Sequence, residues 1–250
     1  DDAAYAIAGE QLFNGGEIKI DNVMPLQPIF YYVMGTVYSV KVANIFISMM
    51  TVLAVYYLSK AIFNSELVSR LASFVWAIYP HAIFYSITGL TETLYVFILL
   101  MGFFFLYRKQ FIIASIFIVL SILLRPTLDL IAPIIIFIFS YYVHSLSSRE
   151  TLKNVIIYIL VYILMMGPWW VHQYVKYNQF VRLNLGDGLV IYSGNNVLNN
   201  SGGGVNSDKG VDLDISWAEN LDNPIEKNLA YKERAYKYIV NNKIHFIKMS

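Results

Sequence analysis

Asp1 and Asp2 are adjacent carboxylates at the head of an alanine-rich stretch. A carboxylate held against a hydroxyl can accept its proton as the oxygen attacks, or it can ligate a metal. The same pair also suits a solvated helix N-terminus, where the helix dipole favours Asp. Glu92, in Thr91-Glu92-Thr93, opens a stretch with no further charge until Arg108. An ionisable group in lipid costs about 2.5–3.5 kcal/mol at mid-bilayer and points to function. The other reading of Glu92 is an interfacial helix start capped by Thr91. Arg125 follows Ser121-Ile122-Leu123-Leu124 and precedes Pro126-Thr127. A guanidinium there suits bidentate phosphate recognition, or an ion pair with Asp129, or snorkelling to the head groups. His81, His144, His172 and His245 lack metal-ligand spacing among themselves. His81 is a substrate-binding candidate, with an interfacial or structural role as its alternative. Gly202-Gly203-Gly204 is not a phosphate loop, since no Gly-Lys-Ser/Thr follows.

These groups need elements to hold them, and the composition says which kind. The 250 residues are 57% hydrophobic and 14% charged, with a net charge of +1 and no cysteine. Soluble domains sit near about 45–50% apolar and about 25% charged, so a soluble globular fold and disorder are both disfavoured. The absent cysteines exclude a disulfide scaffold, a thiolate zinc site and a cysteine nucleophile. The near-zero charge gives no basis for nucleic-acid binding. Charge is unevenly spread, 18 residues in 1–175 and 17 in 176–250, and 12 of 17 asparagines follow residue 176. The first part reads as membrane, the second as mostly water-facing.

Charge-free stretches locate the spans, since a crossing helix needs roughly 20 apolar residues. They predict helices near 40–62, 66–86, 91–108, 110–125, 128–146 and 153–172. The chain is thus an all-α polytopic membrane protein with about six transmembrane helices. Asp1 to Phe13 reads as a short helix stopped by Gly15 and Gly16, and Ile29 to Tyr38 as an interfacial helix. Residues 186–210 read as loop or short strand, 224–240 as helix, and Tyr238 to Ser250 as the approach to a further span. Trp169, Trp170 and the many tyrosines suit an interfacial belt. The organisation is a first outer loop with interfacial helices (1–38), a helix bundle (39–172) and an outer-face segment (173–250). Lys60 with Arg70, Arg108 with Lys109, and Arg149 with Lys153 mark one set of loops as cytoplasmic. Asp1, Asp2, His81, Glu92 and Arg125 then all face outward.

In this order the motifs resemble the GT-C membrane glycosyltransferases of the dolichyl-phosphate-mannose protein mannosyltransferase type, including the bacterial aminoarabinose lipid A transferases. Asp1-Asp2-Ala3-Ala4-Tyr5 with Ala8, Leu12 and Gly15 is similar to that family's first outer loop. Pro25-Leu26-Gln27-Pro28 resembles its proline-leucine segment, Leu90-Thr91-Glu92-Thr93-Leu94-Tyr95 its second outer loop, and Leu124-Arg125-Pro126-Thr127 its Arg-Pro motif. Pro168-Trp169, Tyr174, Phe180-Val181, Gly186, Gly188 and Tyr192-Ser193-Gly194-Asn195-Asn196 resemble the entry to its outer domain.

The resemblance implies sugar transfer from a polyprenyl-phosphate donor to a lipid, glycan or protein acceptor, outside the bacterial inner or plasma membrane, with inversion. Asp1 would be the general base with Asp2 beside it, and Arg125 would offset the leaving phosphate. Glu92, Tyr5 and His81 would face substrate. A divalent cation, if one is used, would sit on Asp1 and Glu92. The sequence departs from the pattern at Val23-Met24, where such transferases carry a Lys, and at His172-Gln173, where Arg-Asn is usual. With no initial methionine and no helix before the acidic pair, the resemblance implies an internal fragment, inactive alone. The competing reading is a transporter or flippase of a lipid-linked glycan. The two separate on one spatial criterion: the transferase needs Asp1, Glu92 and Arg125 in one place.

Overall fold

A computed structural model describes residues 2–15, 18, 20–199, 215–243 and 246. Asp1, Gly16, Gly202–Gly204, His245 and the last residues of the chain lie outside that set. The described residues form helices and turns with no strand, so the all-α expectation stands.

Two units are distinguished. One comprises residues 1–19 and 24–176, the other 20–23 and 177–250. In the first, α1 (Asp2–Glu10) runs into a π-helical turn at Gln11–Gly15, and α2 (Leu26–Met34) packs on α1. The sequence placed the second of these helices at 29–38. It starts earlier and stops at Gly35, whose φ of 76° no other residue type adopts readily. Tyr38 belongs to α3 (Val37–Phe63), which is capped by Thr36, whose hydroxyl accepts from the Ser39 N–H at 3.0 Å.

α3 ends at Asn64 in the left-handed region, and Ser65 caps α4 (Glu66–Ala77). α4 and α5 (Pro80–Ser86) meet at a 57° bend. The sequence reading ran one helix through 66–86. Pro80 disfavours helical backbone at the residue before it, and Tyr79 is extended, with ψ 116°. α6 (Glu92–Tyr107) and α7 (Phe111–Leu124) form an antiparallel hairpin. A Cβ on Gly102 would lie 3.1 Å from Ile118, so the two backbones approach as only a small residue permits. α7 is the most buried helix, with Ala114, Ile118, Val119 and Ile122 essentially inaccessible. A 3-10 turn at Pro126–Leu128 precedes α8 (Ala132–Ile138), which passes into a π-helical turn at Phe139–Val143. α9 (Ser148–Tyr177) is continuous through Pro168.

Helices therefore occupy all six expected positions. By length and composition, α3 (27 residues) and α9 (30 residues) can each cross a bilayer, and the bent α4–α5 pair makes a third candidate. At about 1.5 Å per residue α3 and α9 reach roughly 40 and 45 Å, more than the ~30 Å hydrocarbon core. α6, α7 and the α8 segment are apolar but shorter. Phe46, Met49, Met50 and Leu53 on α3 and Leu152, Ile156, Leu160 and Leu164 on α9 are exposed. Such apolar rows suit lipid and not water.

In the second unit, α10 (Asp187–Gly194), α11 (Ser216–Glu219) and α12 (Pro224–Asn241) surround Tyr192, Ala218, Tyr231 and Ala235. The expected loop or strand over 186–210 is thus helical at its start. The Asp187 carboxylate accepts from Asn228 at 2.9 Å and pairs with Lys232 at 2.7 Å, which ties α10 to α12. α12 matches the helix expected over 224–240, with Asn223 as cap and Pro224 at the first position.

Candidate active site

The turn between α5 and α6 carries the site, and neighbouring side chains hold its backbone. Asn44 of α3 donates to the Thr88 carbonyl at 2.7 Å. Gln27 and Tyr31 of α2 both donate to the Gly89 carbonyl, at 2.9 and 3.0 Å. Gln27 also reaches the Leu90 carbonyl at 3.4 Å. Gln27 and Asn44 are fully buried. Buried carbonyls need donors, and these three side chains supply them to consecutive residues. Gly89 is required here, since a Cβ would lie 1.8 Å from the Tyr31 hydroxyl and 2.9 Å from the Asp2 carboxyl carbon.

With the turn fixed, Glu92 becomes the first residue of α6 and Arg125 the residue after α7. The two ends of the hairpin favour an anion and a cation respectively. Arg125 Nη1 donates to Glu92 Oε1 at 2.6 Å. Arg125 does not pair with Asp129, which accepts from the Tyr162 hydroxyl instead. Thr91 makes no side-chain cap to α6. It interacts with the phenol of Tyr5, which also feels the charges of Glu92, Arg125 and Asp2. Burial pushes the Tyr5 phenol up, Glu92 and Asp2 add to this, and Arg125 and Thr91 oppose it. Tyr31 is raised in the same direction, by burial first and then by Asp2 and Tyr5. Both are held as neutral hydrogen-bond donors.

Asp2 is the first residue of α1 and pairs with Lys41 of α3 at 3.3 Å. The structure therefore gathers Asp2, Tyr5, Glu92 and Arg125 at one end of the bundle. Asp1, the proposed base, lies outside the described residues. His81 shares with Glu92 a cavity of about 210 Å³ at the α4–α5 bend, lined also by Thr51, Trp76, Tyr79 and Tyr85. The second carboxylate oxygen of Glu92 is buried and has no hydrogen-bond partner among the described residues. Among those residues no three His, Asp or Glu side chains group as metal ligands.

Lys41, Gln27, Tyr31 and Asn44 were missed by the sequence reading. Lys41 had a signal. It is a cation at the head of a span whose other end carries Lys60, against the charge bias of the remaining loops. It puts a cation beside Asp2 although Val23-Met24 lacks one. Comparison with known protein families, with curated proteins and with solved structures finds no match for this chain.

Proposed function

We propose that this chain carries the catalytic end of an integral-membrane glycosyltransferase of the GT-C kind, using a polyprenyl-phosphate sugar and working on the outer face of the membrane. The observation that supports it is the convergence of Asp2, Tyr5, Glu92 and Arg125 around one phenol and one ion pair. They come from three stretches far apart in sequence, α1, the start of α6 and the end of α7. In the reaction the acceptor oxygen attacks the anomeric carbon, and the carbon–oxygen bond to phosphate breaks. The phosphate leaves with the electron pair, and the acceptor proton passes to a carboxylate, Asp1 or its neighbour Asp2. Arg125 is 42% exposed at its side chain. A single bond to Glu92 leaves further N–H donors of its guanidinium for the phosphate. Its charge offsets the one developing on the leaving group. Tyr5, neutral by burial, donates a hydrogen bond to sugar or phosphate. In this reading helices α3 to α9 supply six crossings, and the Lys- and Arg-bearing loops face the cytoplasm.

The test is transfer from labelled polyprenyl-phosphate sugars by the protein carrying this chain in vesicles. Arg125→Ala is expected to lower transfer by about 10²–10³-fold. Asp1→Asn is expected to abolish transfer while donor binding persists. Transfer that survives Asp1→Asn, Asp2→Asn and Arg125→Ala alike would remove the reading. The broken α4–α5 pair with a cavity at its bend is the feature that favours a transporter of a lipid-linked glycan instead. That reading requires movement of the labelled lipid across the bilayer with no new glycosidic product.

A further inference from the structure

The opposite end of the same unit holds a second cavity, of about 360 Å³, lined by Lys109, Gln110, Phe111, Ile112, Ile113, Lys153, Asn154 and Ile157. Three nearby chain turns meet at this end. The Tyr107 hydroxyl donates to the Ile62 carbonyl at 3.5 Å, and His144 Nε2 contacts the Leu106 carbonyl at 2.8 Å. Cations gather here, but their situations differ. Lys60 and Arg70 are both spent on Glu66, at 3.1 and 2.7 Å. Arg108 lies over the Phe104 ring, 5.6 Å from its centroid. Lys109 and Lys153 form no ion pair among the described residues, and both line the cavity. The nearby Glu150 carboxylate is engaged by the Ser147 hydroxyl at 2.9 Å and its N–H at 3.2 Å, and it feels the charges of Lys153 and Lys109 without forming an ion pair with either.

The backbone holds this arrangement at a cost. Lys109 sits at φ 60°, in the left-handed region that a lysine rarely occupies. Asn154 is buried and fixed by a bond to Ser140 at 3.2 Å. Beside the cations, Ile112 and Ile113 are exposed on the outer surface of an apolar hairpin. Two ammonium groups outside any ion pair, with one carboxylate, Glu150, near them, and two amides therefore stand next to an apolar wall.

We propose that this cavity binds the phosphate of an anionic phospholipid, with the acyl chains lying along Ile112, Ile113 and Ile157. The chemistry recognised is a phosphate ester with a net negative charge. The apolar wall selects the lipid-borne form over free phosphate. This site is independent of the glycosyltransferase reading and lies at the other end of the helices.

The experiment is native mass spectrometry of the detergent-purified chain with phosphatidylglycerol or phosphatidylcholine, repeated with inorganic phosphate in excess. Two ammonium groups predict retention of phosphatidylglycerol over phosphatidylcholine by roughly tenfold or more. Lys109→Gln/Lys153→Gln should remove that preference. Arg70→Gln, which like each single lysine variant removes one charge at the same end but lies away from the cavity, should keep it. A melting curve matching the parent protein secures the fold of the double variant. If that curve shifts, the single variants Lys109→Gln and Lys153→Gln must each lose several-fold of the preference. Equal loss in Arg70→Gln would mean diffuse attraction and overturn the site. Displacement of the lipid by inorganic phosphate would overturn the lipid assignment.

Discussion

Tyr31 and Tyr5 hold their protons more tightly than free phenols, because burial penalises the phenolate and neighbouring carboxylates repel it. The sign of the stability effect follows. Unfolded phenols ionise near their ordinary value of 10.0, while the folded ones stay protonated. The folded state thus binds more protons above that pH, and its stability falls as pH rises. The contribution is complete below about pH 10 and is lost as pH climbs through the raised values. Tyr31→Phe is expected to lower stability at neutral pH and to flatten the alkaline slope. Thermal melts of both proteins across the alkaline range check this, and parallel slopes would refute it. Tyr5, one of 20 tyrosines, stands out only through the family resemblance, whereas Asp2, Glu92 and Arg125 were legible in the sequence because charge is conspicuous beside apolar stretches. Gln27 and Asn44 were not. An amide inside an apolar helix gives no hint of the carbonyl it will meet some 40 to 60 positions away.

At the scale of elements, α2 and α3 act as a rack for the α5–α6 turn. Gln27→Leu keeps the volume roughly but leaves the Leu90 carbonyl without that donor and the Gly89 carbonyl with Tyr31 alone. A lost buried bond costs about 1–3 kcal/mol. The expected result is a melting point lowered by several degrees, with transfer falling through a misplaced Glu92 even in protein that remains folded. Stability loss with full transfer would show that the rack does not set the site. The positions of the helices were readable from charge-free runs. The break at Pro80 was readable too, since the residue before a proline leaves the helical region; a run of apolar residues concealed it. α10 is concealed because its glycines, and the asparagines that follow it, suggest a loop. It is held as a helix by Asn228 and Lys232 of α12, contacts some 40 residues distant.

Across the molecule, charge is sorted by end. The Glu92–Arg125 pair and Asp2 lie where α6 begins and α7 stops, and Lys109 lies where the hairpin turns. The sorting was visible in sequence. The cavities at each end were not, since one arises where α3 to α6 meet and the other between the α6–α7 turn, α7 and α9. α6 and α7 have 16 and 14 residues, or about 24 and 21 Å of helix. A thick bilayer would pull polar ends into hydrocarbon, at fractions of a kcal/mol per Å of mismatch, roughly. Melting temperature and transfer are therefore expected to be higher in short-chain than in long-chain phosphatidylcholine vesicles. Values independent of chain length would show that the hairpin is not matched to lipid thickness. The hairpin's brevity also bears on how the protein is made. α6 and α7 are apolar but each shorter than a full span, and α3, which precedes them in the chain, offers α6 a packed surface. On the proposed membrane placement, α6 is expected to stay packed on α3 until α7 follows, so that the two enter lipid as one body. The three residues joining them are enough only to turn the chain back on itself, so what carries α6 into place carries α7 with it.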